Sequence, residues 1–113
     1  MARTADAKRT AHTDARLGAL SNATRREILR RAWSRERSAG ELAEGFDLTR
    51  PAISQHLKVL LDARLLTMRR EGTRRLYRAD HGVVRQVVLE LASFWEDRLD
   101  RLKRVVESDQ EET

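Results

Sequence analysis

The 113-residue chain contains no cysteine, one proline and only five aromatic side chains, two Trp, one Tyr and two Phe. Without cysteine there is no disulfide, no thiolate-bound metal and no thiol redox chemistry. No apolar run approaches the roughly 20 residues needed to span a bilayer. The basic N-terminus lacks the apolar stretch of a secretion signal, so a cytoplasmic protein with no membrane partner is expected. With so few aromatics, the core must be built mainly from Leu, Ile and Val. Such a core is marginal in a chain this short, and pairing with a second copy is the economical remedy.

Catalytic and metal-binding patterns are missing too. There is no glycine-rich phosphate loop. The three histidines, His12, His56 and His81, share no i, i+4 spacing, and none stands beside a ladder of carboxylates. No metal, no cofactor and no enzymatic activity are therefore expected. Asp80 and His81 read as a helix cap and the residue after it. Trp33, Phe94 and Trp95 can line a ligand pocket, although aromatics at such spacing more often fill a helix–helix core.

What the chain has in abundance is charge, at 36% of residues, with a formal net charge of +5. The charge is unevenly spread. Residues 107–113 hold four acidic side chains and no basic one, and the rest carries 23 basic against 14 acidic residues, a formal +9. A basic body with an acidic tail suits a polyanionic partner such as nucleic acid.

The chain divides into a basic arm (1–12), a folded domain (13–106) and an acidic tail (107–113). "DARLGAL" places Leu17 and Leu20 three apart, as on a short helix. Ser21 or Asn22 then caps "ATRREILRRAW", where Ile28, Leu29, Ala32 and Trp33 form one apolar stripe. "SRER" reads as a polar link. Ser38 and Glu41 form an S-x-x-E capping box opening a helix over 39–45. Thr49 caps the next helix, expected over 50–61, with Pro51 in its first turn where a missing N–H costs nothing. Two short helices this close have helix-turn-helix spacing. "LLTMRREGTRRLYRAD" predicts a β-hairpin over 65–78 turning at Glu71-Gly72, with imperfect alternation because Leu76 and Tyr77 are adjacent. Asp80 caps a last helix over 81–106. Its apolar positions, Val84, Val88, Leu91, Trp95, Leu99, Leu102 and Val106, make a stripe longer than the body can cover, so it needs a partner surface.

The helix over 50–61 has two faces. With 3.6 residues per turn, Ile53, Leu57 and Leu60 share one side, while Pro51, Ser54, Gln55 and Lys58 share the other, with Arg50 at the entrance. Gln can pair with adenine, Arg with guanine and Ser with either, whereas Lys suits phosphate. A plain solvated face is the alternative, and the adjoining helix-turn-helix spacing and basic hairpin weigh against it. His56 falls on the flank of the buried side, as a phosphate contact or as a packed histidine tying the helix to its neighbour. The hairpin region 64–78 carries six Arg against one Glu. Arg69, Arg70, Arg74 and Arg75 are its candidates for tracking phosphates or entering a minor groove.

The segments "LSNATRREIL", "SAGELAEGFDLTRPAISQHLKVLLDARLL" and "RREGTRRLYR" together resemble the ArsR-type winged helix-turn-helix transcriptional repressors, from about Leu17 to Asp80. The resemblance implies a mainly α fold with a small β-hairpin wing and a long C-terminal dimerisation helix. It implies a homodimer joined through the first and last helices, here Leu17, Leu20, Val84, Val88, Leu91, Trp95, Leu99 and Leu102. It also implies a recognition helix in the major groove of double-stranded DNA, at an inverted-repeat operator that is often the regulator's own. A winged-helix module for protein contact or non-specific DNA architecture is the main rival, and a repressor released by a small molecule is a variant. Two departures stand out. Many members sense metals through cysteines in the segment here reading "ELAEGFD", or through His and acidic ligands on the last helix, and this chain has neither. The family also often has Gly where this chain has Arg64, at a junction that calls for a left-handed residue.

Overall fold

A computed structural model describes residues 14–111. The N-terminal arm lies outside the described residues. The elements are α1 (14–20), α2 (Ala23–Arg31), β1 (Arg37–Ser38), α3 (Ala39–Ala43), α4 (Arg50–Asp62), β2 (Leu66–Glu71), β3 (Arg74–Ala79) and α5 (His81–Glu111).

Short polar side chains start the helices where the sequence places them. Asn22 accepts a hydrogen bond from the Arg25 amide, and Thr49 from that of Ala52. Ser38 and Glu41 close the reciprocal capping box. The Asp80 carboxylate accepts from the Val83 amide at 3.1 Å. Each cap satisfies an N–H that the first helical turn leaves without a partner.

The core is aliphatic. Ile28, Leu42, Leu60, Leu65 and Val87 are its largest fully buried side chains, and Tyr77 is its one buried aromatic. These come from α2, α3, α4, the junction after α4, β3 and α5, so one cluster fastens every major element. No polar or charged residue is buried among the described residues. The chemistry of this molecule is therefore carried on its surface and between its helices.

Three features depart from the expectation. First, the hairpin belongs to a three-stranded sheet in the order β1-β3-β2, because Arg37 of the supposed polar link and the capping residue Ser38 pair with Tyr77 and Leu76. This explains the adjacent apolar pair. Tyr77 and Ala79 join the core, while Leu76 on the opposite face lies between Ser38 and Arg69 in register and is 8% exposed. An arginine stem can cover such a residue while its head stays in water. Second, α3 ends at Ala43, two residues early, and Gly45 takes a φ of +82° in the turn that follows. Third, α5 runs through Glu111, so the acidic stretch from Glu107 continues the helix as far as it is described.

The junction after α4 has the predicted left-handed turn. Arg64 has a φ of +62°, the one positive value at a non-glycine residue among those described. Its amide donates to the Leu61 carbonyl and that of Leu65 to the Leu60 carbonyl, both at 3.0 Å. This is the Schellman pattern, and the fully buried pair Leu60 and Leu65 supplies the apolar contact that accompanies it.

Candidate nucleic-acid interface

Helix α4 is seated by Ile53, Leu57 and Leu60, each no more than 5% exposed. With that face fixed, Arg50, Pro51, Ser54, Gln55 and Lys58 are all exposed on the outside of the helix-turn-helix. Among the described residues the side chains of Arg50, Ser54, Gln55 and Lys58 have no hydrogen-bond or ion-pair partner, so their donors and acceptors are open to solvent or a ligand, while Pro51 presents an apolar ring. His56 differs. It is half-buried, and its Nδ1 lies 3.3 Å from Nη1 of Arg25 on α2.

The hairpin formed by β2 and β3 stands beside α4, turning through Gly72 at a φ of +63°. Its arginines are not alike. Arg69 is held by two carboxylates, at 2.7 Å from Glu36 and 3.2 Å from Glu71. Arg74 reaches Glu41 at 3.6 Å. Arg70 and Arg75 are exposed and unpaired among the described residues. The hydrogen bond from Arg69 holds the Glu36 carboxyl below the usual carboxylate range. The Ser38 amide and hydroxyl, with Arg37 and Arg35 nearby, do the same for Glu41. Both carboxylates thus stay ionised and tie the wing, at mid-strand through Arg69 and beside its turn through Arg74, to the segment around β1.

The structure therefore places the ten candidate DNA-contacting residues on two neighbouring elements but separates them by engagement. Seven are exposed without partners, Arg69 and Arg74 are exposed but ion-paired, and His56 is turned inward. Sequence reasoning missed Glu36 and Arg25. Glu36 lies 33 residues from Arg69, and no local pattern joins them. Arg25 sits off the apolar stripe of α2 and looked solvated. Glu41 was visible only as a cap.

The candidate dimer residues divide as well. Leu17, Leu20 and Val84 are half-buried against their own body, and Leu91 is half-buried. Val88, Trp95, Leu99 and Leu102 are 51–58% exposed. Trp33 lies against the start of α5, with its ring stacked on His81 at 3.9 Å between centroids. His81 Nε2 lies 2.6 Å from the Trp33 carbonyl, which can only accept, so that nitrogen donates. No described helix is long and apolar enough to cross a membrane.

Residues 20–69 match a family model described as a helix-turn-helix domain. The chain is 39% identical over 95 residues to the HTH-type transcriptional regulator Rv2034 of Mycobacterium tuberculosis, covering 84% of this chain and 89% of that protein. Among solved structures, a possible transcriptional regulator for arsenical resistance superposes with a TM-score of 0.68 at 41% identity, covering 77% of this chain and 91% of the other. The homodimeric winged helix-turn-helix DNA-binding domain Mb0332 of Mycobacterium bovis, a possible ArsR-family regulator, gives 0.66 at 27% identity, covering 85% and 89%.

Proposed function

Since the chain belongs to the ArsR-type winged helix-turn-helix transcriptional regulators, we propose that it acts in the cytoplasm as a homodimeric repressor bound to an inverted-repeat operator. That family is one of DNA-binding regulators rather than enzymes. One observation carries the reading further. Helix α4 is anchored by three buried aliphatic residues and turns an unpartnered Gln, Ser, Lys and Arg outward. Such a helix can enter a major groove without being unseated from the fold.

In this reading Gln55 and Ser54 meet base edges, Arg50 meets a guanine or the groove edge, and Lys58 meets a phosphate. Arg70 and Arg75 of the wing are free to neutralise phosphates at once. Arg69 and Arg74 must first exchange a carboxylate for a phosphate, so they contribute less. A second protomer supplies the second half-site, and the exposed stripe of α5 supplies the surface that joins the two. A dimer seated on a promoter represses by occupying it.

The test is selection of bound sequences from random DNA with the purified protein, followed by footprinting. A bounded, pseudo-palindromic footprint is expected. Uniform coating would instead mean an architectural role. On the selected site, Gln55→Ala should cost about 1–3 kcal/mol, and much less on a site altered at the base it reads. Equal weakening on every site would remove Gln55 from the reader's role.

A further inference from the structure

Arg25 stands at the corner where α1, α2 and α4 meet, and it spends its side chain there. Its Nε donates to the Ala19 carbonyl at 2.7 Å and its Nη2 to the Gly18 carbonyl at 2.9 Å, both at the end of α1. Its Nη1 lies 3.3 Å from Nδ1 of His56 on α4. A guanidinium has donors and no acceptor, so the nitrogen facing it must offer a lone pair. His56 is therefore neutral in this arrangement, with its proton on Nε2.

The charged groups on the elements around this corner are engaged with other partners or exposed to solvent. Arg16 of α1 donates to the Ala63 carbonyl, and Arg26 of α2 to the Leu20 carbonyl. Glu27 of α2 is engaged with Arg30 and Arg31, and Glu41 of α3 with the arginines around β1 and the wing. On β2, Glu71 is paired with Arg69, and Arg70 is a further cation. On α4 itself Lys58 and Asp62 are exposed. Asp14 on α1 is exposed as well. Among the described residues no carboxylate hydrogen-bonds to His56. A proton on Nδ1 would replace an accepted hydrogen bond with two like charges about 3 Å apart, which is repulsive at any effective dielectric.

We propose that Arg25 is a positioning residue that holds α4 against the end of α1 through neutral His56, and that proton uptake by His56 releases this hold and weakens DNA binding. The inference rests on the reading of α4 as the DNA-reading helix. Its sign is distinctive. A histidine that met a phosphate would bind DNA more tightly when protonated, whereas this one binds less tightly.

The experiment uses the full chain and its selected site, from about pH 8 to about pH 5.5, the range in which an imidazole titrates. Ionic strength is held constant, and circular dichroism verifies unchanged helix content at each pH. Wild type should lose roughly 5- to 10-fold in affinity toward the acid end, the low range of typical coupling between sites. His56→Gln keeps an oxygen that accepts from Arg25 and does not titrate, so its affinity should stay level. Arg25→Lys should remain a dimer by sedimentation, bind more weakly at high pH and lose the acid-dependent fall. Wild type tightening on acidification, wild type and His56→Gln responding alike, or Arg25→Lys matching wild type throughout would each overturn the proposal. If selection recovers no bound sequence, the DNA-reading role of α4 falls first and this inference falls with it.

Discussion

Helices α4 and α5 carry the same kind of apolar stripe and meet opposite fates. In α4 the stripe of Ile53, Leu57 and Leu60 is buried by the chain's own α2, α3 and wing. In α5 only the first turns touch the body, where Val87 is fully buried. Beyond them Trp95, Leu99, Leu102 and Val106 are each more than half exposed. At 1.5 Å per residue its 31 residues extend about 46 Å. A hydrophobic period thus identifies a helix and the face it must cover, but not whether the cover belongs to the same chain.

The contrast breaks most sharply if the outer half of α5 is made polar. Leu99→Asp with Leu102→Asp alters no side chain the protomer buries, so each protomer should stay folded. The dimer should dissociate, and with it the gain from binding two half-sites together, roughly 100- to 10,000-fold in operator affinity. Sedimentation and DNA titration of the same sample check this. A double variant that remains dimeric would show that another surface joins the protomers.

A matched pair of truncations measures the same difference as stability. Leu60→Ala empties a fully buried site and should cost about 2–5 kcal/mol in denaturant unfolding. Leu102→Ala at a concentration where the protein is monomeric should change unfolding by less than about 0.5 kcal/mol. Equal losses would mean that α5 folds back on its own body in solution.

The ends of the two helices sharpen the comparison further. Helix α4 finishes in a complete Schellman turn despite having an arginine at φ +62°, whereas the last described turns of α5 carry acidic side chains. Arg64→Gly should raise stability by about 1 kcal/mol by relieving the left-handed backbone. The thermal midpoint should rise by roughly 4–8 °C. A fall would mean that the arginine side chain makes a compensating contact.

The smallest effect concerns charge on the body. Glu27 accepts hydrogen bonds from Arg30 and Arg31, which lower its carboxyl from 4.5 to about 2. A group depressed on folding contributes stability above its unfolded value and loses it as pH falls toward the folded one. Glu27→Gln should therefore flatten slightly the decline in stability between pH 4.5 and about pH 2. Acid melts of both proteins test it, and a variant with an unchanged decline would remove Glu27 from the acid response.

Legibility in the sequence followed the range of the interaction. Caps at Asn22, Ser38, Thr49 and Asp80 act within three residues, and all four stand where local pattern placed them. The buried side of α4 was legible for the same reason, whereas the left-handed turn at Arg64 was legible only through the resemblance to the family. Strand β1 was not, since two residues have no period and their pairing with β3 spans about forty positions. The engagement of Arg69 by Glu36 and of Arg25 by His56 was equally hidden. An arginine off an apolar stripe looks the same whether its partner is water or a distant side chain. For the candidate interface, sequence therefore indicated which residue types were available, and the structure added which of them already have partners.

The order of the sheet has a consequence for colloidal behaviour. With β1 and β2 flanking β3, the far side of β2 presents unpaired backbone amides and carbonyls, and a bare strand edge is a template for another chain. All of β2 beyond Leu66 is exposed, and Arg69, Arg70 and Glu71 line its outer end. Arg70, a cation without a carboxylate partner among the described residues, repels an identical strand arriving alongside, so an arginine proposed to meet phosphate also opposes edge-to-edge stacking of free protein. Concentrated salt shortens the reach of that repulsion, so strand-to-strand aggregation is the hazard to watch when this protein is stored without DNA at high ionic strength.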